Sequence, residues 1–326
     1  MKKILILALC FCFCHLLHAQ GESSAMRVLT LPASAHLAAL GGENISTSDE
    51  MASIGLQNPA MLASANDRSL DLQFMNYADG AKWMGAHYAM AFGDRHTGAA
   101  YLQYMGFGEM DERDASGNLM GQFTPKDMIF GVGYSYLFSD RWAGGANLKF
   151  DYSRIADYSA AAIAVDLGLN YLNEEKGLSL SLAMRNVGAQ LKTYDGVVER
   201  VPYNLQLGMT QSLAHLPVAF SVTLTDLTRW KKSDYLPTGD DEKMGTGRLL
   251  LNHLVAGVEI RPRDNMWLAL GYNFRRAYEL QAAGKARMAG LSAGAGLNLR
   301  RFSIGLAWAR YHKATNSLMG NLSVNF

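Results

Sequence analysis

The stretch Met128–Phe138, MIFGVGYSYLF, decides the fold. Met128, Phe130, Val132, Tyr134, Tyr136 and Phe138 share one parity; Ile129, Gly131, Gly133, Ser135 and Leu137 share the other. Successive side chains of an extended chain point to opposite faces. The stretch therefore reads as a strand with one large apolar face and one face of mostly small residues. LSLSLAMR at Leu178–Arg185 repeats the pattern, with Leu178, Leu180, Leu182 and Met184 against Ser179, Ser181, Ala183 and Arg185. FSIGLAWA sets Phe302, Ile304, Leu306 and Trp308 against Ser303, Gly305, Ala307 and Ala309. A helix would need a period near 3.6, and none of these stretches has it.

About fourteen such segments can be read, starting near Ser69, Lys82, Thr97, Asp127, Trp142, Ser159, Leu178, Pro202, Pro217, Leu249, Met266, Ala289, Phe302 and Asn316. Those at Lys82, Thr97, Leu249 and Met266 alternate poorly. Most run about 9–12 residues, enough for a tilted strand to cross a bilayer. The connections sort by length. Short turns fall at 93–96, 139–141, 173–177, 213–217, 262–265 and 300–301, and long loops at 107–126, 187–201, 226–248 and 276–288, with only 78–81, 155–158 and 311–315 short on that second side. Transmembrane barrels keep short turns on the periplasmic side and long loops outside. The expectation is an all-β, closed antiparallel transmembrane barrel of about fourteen strands over 69–326, with both chain ends periplasmic. Trp142, Tyr171, Phe302 and Phe326 fall at one set of strand ends and Tyr152 and Tyr203 at the other, as interfacial girdles do.

Composition agrees. Gly is abundant at 32, Pro scarce at 7, and the net charge of +1 gives no hint of nucleic-acid binding. Mean hydropathy is near zero, at −0.03, which suits a soluble β-protein or a barrel with lipid on one face only. The loop sorting favours the barrel over a soluble periplasmic β-protein. Lys2 and Lys3, the apolar run Ile4–Leu17 and Leu17-His18-Ala19 form a secretory signal peptide over residues 1–19. Cys10, Cys12 and Cys14 each follow a bulky residue, which argues against a lipidation site, and their removal leaves a mature chain with no cysteine.

Residues 27–68 do not alternate. Ala35–Leu40 and Pro59–Ala65 read as short helical pieces, the first stopped by Gly41-Gly42, the second capped by Asn58 with Pro59 at its first position. The segment 20–68 is expected to enter the lumen as a plug, or to pack beneath the barrel. Asp71, Lys149, Asp151, Asp166 and Arg185 point to the lumen. They read either as a binding or selectivity patch or as a charge ladder stiffening the wall.

No G-x-S-x-G, P-loop, H-E-x-x-H or C-x-x-C is present, so no enzyme, cofactor or metal is expected. His36, His87, His96, His215, His253 and His312 lack ligand spacing and read as solvated loop or strand residues. The acidic GEMDERDASGN reads as a solvated loop, without calcium-loop spacing.

The chain ends NLSVNF, with Leu322, Val324 and Phe326 on one face. An alternating last strand ending in Phe resembles the signal read by the barrel assembly machinery. The Gly41-Gly42 pair, the Asn58-Pro59-Ala60 triplet and RNVGAQLKTYDGVVERVPYNLQLGM (Arg185–Met209) resemble the FadL-like outer-membrane barrels, and more narrowly the PorV/PorQ family of type IX secretion components. That resemblance implies a fourteen-stranded barrel in the outer membrane and a non-enzymatic scaffold that holds a PorZ-like surface partner through its outer loops. The Asn-Pro-Ala element is shared with FadL-like channels for small hydrophobic molecules, so channel and scaffold both stand as expectations.

Overall fold

The computed structural model describes residues 26–78, 80–196, 198–235, 244–282, 288–312 and 315–326. The signal-peptide reading lies outside them. The strands are β1 (Ser69–Ala78), β2 (Ala81–Ala91), β3 (His96–Gly106), β4 (Met110–Arg113) and β5 (Leu119–Phe123). Next come β6 (Lys126–Ser139), β7 (Trp142–Ile155), β8 (Tyr158–Asn173), β9 (Leu178–Lys192), β10 (Asn204–Ser212) and β11 (Val218–Leu224). β12 (Leu254–Arg263), β13 (Met266–Asn273), β14 (Leu291–Asn298), β15 (Phe302–Ala309) and β16 (Ser317–Asn325) complete the set. All except β4 and β5 form one closed antiparallel barrel of fourteen strands.

Closure follows from the last strand. β16 pairs with β1 from Asn325↔Ser69 to Leu318↔Asn76, so neither edge is left open to hydrocarbon. The parity read from sequence sorts inside from outside. On β6, Phe130, Val132 and Tyr134 are exposed outward, while Ile129, Gly133 and Ser135 are buried inward. Leu72, Phe74, Leu148, Phe150, Leu306 and Leu322 continue the outward apolar band. No helix among the described residues is long and apolar enough to cross a membrane; the strands are the crossing elements.

One mouth carries the short turns at 92–95, 140–141, 174–177, 213–217, 264–265 and 299–301, and the other the long connections at 107–125, 193–203, 225–253 and 274–290. Trp142 and Tyr171 are directly paired across β7 and β8, with ring centroids 5.0 Å apart. With the exposed Phe302 and Phe326 they mark the short-turn mouth. Tyr152 and Tyr203, near the other mouth, are half-buried.

One strand reading needs correction. The segment starting at Leu249 is not a strand: helix α3 (Thr246–Asn252) occupies it, and β12 starts at Leu254. Its run of three leucines fits a short helix as well as a strand, and tertiary packing arbitrates. Within the long loop 107–126, β4 and β5 pair into a separate two-stranded sheet. Asp114 accepts from the amides of Ser116 and Asn118 and so makes that tight turn.

The segment before β1 lies inside the barrel. A 3-10 turn at Arg27–Thr30 leads to α1 (Ala35–Ala39), α2 (Ile54–Gln57) and a second 3-10 turn at Pro59–Ser64. α4 (Phe274–Ala282) sits in the long connection after β13. Met26 lies beside Met105 and Asp127 at the long-loop mouth. The Phe326 amide donates to Arg68 O at the opposite mouth. The described chain thus starts at the mouth away from Phe326; residues 20–25, on which a periplasmic N-terminus rested, lie outside the described residues.

Candidate functional site

The small lumen-facing residues leave space, and the plug uses it. Gly145 and Gly168 are direct cross-strand partners on β7 and β8. A Cβ at Gly145 would overlap the Pro59 carbonyl, and one at Gly168 would overlap the Asn58 side chain. Asn58 caps its turn by accepting from Ala60 N at 3.1 Å and donates from Nδ2 to Ile45 O at 3.0 Å. Ser135 donates from Oγ to Ala60 O at 3.2 Å, tying the triplet to the wall. A second glycine pair, Gly257↔Gly271 on β12 and β13, receives Leu40 and Gly41. Gly41 and Gly42, at φ +96° and +86°, end α1 in a conformation that only glycine adopts at no cost. Gly41 N donates to Ser292 Oγ at 3.1 Å, and Arg276 donates to Gly41 O at 3.0 Å.

The plug is also held by charge. His36 on α1 places Nδ1 2.9 Å from Asp49 and Nε2 2.7 Å from Glu259 of β12, and stacks on Trp267 at 4.4 Å. Burial alone would lower its pKa; the hydrogen bonds to Asp49 and Glu259 outweigh burial and push it up to about 10. Plug residue Glu43 accepts from Gln206 Nε2 at 2.6 Å and lies 3.8 Å from Arg185. Its burial raises its pKa.

Of the lumen charges read from sequence, Lys149, Asp166 and Arg185 come together. Lys149 Nζ is 2.8 Å from Asp166 and donates to Asn186 Oδ1 at 2.5 Å. The β8–β9 register jumps between Val165 and Leu167, leaving Arg185 and Asn186 in a bulge, with Asn186 at φ +57°. A bulge strands a backbone amide. Asp166 accepts that amide, Asn186 N, at 2.7 Å, and a further bond from Asn147 Nδ2 at 3.0 Å. Asn147 also donates to Gly55 O of the plug at 2.7 Å. The cluster closes a bulge and holds the plug, which goes beyond a simple ladder. Asp71 lies elsewhere, accepting from Ser53 N at 2.8 Å and Ser323 Oγ at 2.6 Å. Asp151 is 1% exposed, and neither carboxylate oxygen has a partner among the described residues.

The histidine reading is corrected for three positions. His36, His87 and His253 are buried, not solvated. His87 faces inward from β2 with its ring edge-on to Tyr101. His253 directs Nδ1 to Thr225 O at 2.7 Å and packs on Trp230. His87 is lumen-facing, which in a filled barrel is an interior position, and His36 and His253 lie outside the strands and are buried by tertiary packing, so local polarity does not signal water. His96 and His215 are exposed. Among the described residues no group of three or more side chains could hold a metal ion.

Above the plug, at the long-loop mouth, lies a cavity of about 270 Å³. Met26, Val28, Leu31, Tyr77, Met105 and Phe107 give it apolar walls. Sequence reading missed this cavity, as it missed His36, Glu43, Asp49, Asn186 and Glu259, because each is made by residues far apart in the chain. A polar cavity of about 540 Å³, lined by Glu50, Asp67, Asp264 and Arg300 among others, lies at the other mouth.

Fold and site together define a plugged fourteen-stranded transmembrane barrel. No family model matches the chain, and no curated protein matches it. Among solved structures it is similar to the Pseudomonas putida toluene transporter TodX, with TM-score 0.58 and 13% identity over 91% of this chain and 98% of that one. The CymD monoaromatic hydrocarbon channel gives 0.51 and 10% over 91% and 98%. A Pseudomonas aeruginosa FadL homologue gives 0.50 and 10% over 89% and 97%. At such identities the likeness to these structures is one of fold.

Proposed function

We propose that this protein is a non-enzymatic outer-membrane channel that admits small hydrophobic molecules from the long-loop side. One observation carries the reading: the cavity at that mouth has apolar walls built jointly by the first plug residues, Met26, Val28 and Leu31, and by the barrel residues Tyr77, Met105 and Phe107. A ligand seated there touches the plug directly, so its binding energy can act on plug position. The fold likeness to toluene and monoaromatic hydrocarbon channels supports the same reading. Uptake of radiolabelled toluene by an outer-membrane-bearing host that lacks its own hydrocarbon channel and expresses this chain should exceed that of the same host expressing the chain with Met105→Asp and Phe107→Asp. Equal uptake in the two hosts, with both barrels assembled, counts against the channel.

The second reading, which the PorV/PorQ resemblance implies, is a secretion scaffold holding a PorZ-like surface partner. The hairpin β4–β5 favours it, since Leu119 and Met120 stand 59% and 69% exposed beyond the barrel. Deletion of 109–124 should then release the partner in pull-downs from solubilised outer membranes. Retention of the partner by this deletion and by deletions in 187–201 and 226–248 removes the scaffold reading.

A further inference from the structure

The cavity is not apolar throughout. Asp127 and Ser153 form its polar side, with Tyr194 beside them. The hydroxyls run in a chain: Tyr194 donates to Ser153, and Ser153 donates to Asp127. β6 and β7 pair Asp127 with Ser153 and Ile129 with Asp151. Asp151 is therefore the diagonal neighbour of Asp127, one inward position deeper, at roughly 7–8 Å between backbones. Asp127 is 6% exposed and Asp151 1%. Asp151 has no hydrogen-bond partner among the described residues. Lys149, two residues before Asp151 on the same strand, is engaged by Asp166 and Asn186. Glu199 adds a third acid to the lining, and Arg27 is the one cation among the described lining residues.

Buried carboxylates are ordinarily paired or fully hydrogen-bonded. Here, of two adjacent ones, Asp127 accepts from Ser153 and opens on a cavity with apolar walls, while Asp151 accepts no hydrogen bond from the described residues. A ligand with a carboxylate head would meet like charge. A purely apolar ligand would leave the acids unsatisfied.

We propose that this cavity binds small amphiphiles with a protonated amine head, the apolar body lying against Met26, Val28, Leu31 and Met105 and the ammonium on Asp127, with the unpartnered Asp151 carboxyl one position behind it. The volume suits the class: an apolar cavity of about 150 Å³ takes benzene, so about 270 Å³ takes one ring with a short tail or a chain of similar bulk. This assignment rests on the channel reading and narrows its substrates.

The test is calorimetric titration of the full-length protein in amphipol with octylamine, octanol and octanoate, after subtracting protein-free amphipol. Octylamine should bind about tenfold tighter than octanol, as one charge-assisted hydrogen bond implies, and octanoate weakest. In Asp127→Asn, and in Asp127→Asn with Asp151→Asn, the ratio of octylamine to octanol affinity should fall to near one. Heat-modifiable migration verifies that each variant is a closed barrel. An octylamine affinity no better than that of octanol, or a preference that survives both variants, overturns the amine assignment alone. Failure of all three probes to bind the intact barrel overturns the apolar cavity reading as well.

Discussion

The His36 imidazole lies 2.7 Å, through Nε2, from the Glu259 carboxylate, joining the plug helix to the barrel wall 223 residues away in sequence. Asp49 closes the other side of the ring at 2.9 Å. The plug is thus fastened by a cation clasped between two carboxylates.

This clasp makes plug retention depend on pH. His36 has a pKa near 10 in place and the ordinary 6.5 when released. A raised folded pKa contributes stability that is complete below about pH 6.5 and declines as pH rises through about 10. Planar-bilayer recordings should show opening events growing more frequent from pH 6.5 to 10, and Glu259→Gln should show them at neutral pH. Conductance that stays flat over this range in the unmodified protein would contradict the clasp.

The glycine cradle makes a steric prediction. Gly168→Val puts side-chain atoms where Asn58 sits. The barrel keeps its register, since valine suits a strand, while the Asn58-Pro59-Ala60 turn is displaced. Heat-modifiable migration should be retained and single-channel conductance should rise several-fold; a tight, silent barrel would show that the cradle does not seat the plug.

Lys149 and Asp166 are almost fully buried, so removing one partner leaves an uncompensated charge. Lys149→Met should cost about 3–5 kcal/mol of stability, read as a lower urea midpoint in lipid vesicles. Adding Asp166→Leu should not restore the loss fully, because Asp166 also serves the stranded Asn186 amide. Full recovery in the double variant would mean that the bulge needs no cap.

Phe326 stands 78% exposed, and its amide adds one bond, to Arg68, beyond the ladder. Truncating it should leave the stability of the folded barrel within about 1 kcal/mol yet reduce the amount assembled in membranes. Unchanged assembly in cells would discard its reading as an assembly signal.

The strands were legible because parity is a local property. Thirteen of the fourteen expected starts lie within two residues of the observed ones, with Ser69, Trp142, Leu178, Met266 and Phe302 at the same residue, and the remaining start, Leu249, precedes β12 by five residues. The alternation at Met128–Phe138 needs no partner to be read. The plug's turn chemistry was legible for the same reason: Asn58, Pro59 and Gly41-Gly42 act on their own backbone. The charge at Lys149 and Asp166 was visible, but not its purpose, because the bulge at Asn186 exists only once β8 and β9 pair out of step.

By itself, then, the order of residues determined a strand-built wall, its greasy outside, its short and long ends, and a capped segment ahead of it. Only the closed tertiary structure decided that His36 would be a clasped cation rather than a wetted side chain, that glycine pairs would seat the plug, and that Met26, Met105 and Asp127 would meet around a cavity. Side-chain parity is set within a few residues of chain. Charge pairing, burial and cavity shape are set by which distant strands become neighbours when the sheet closes.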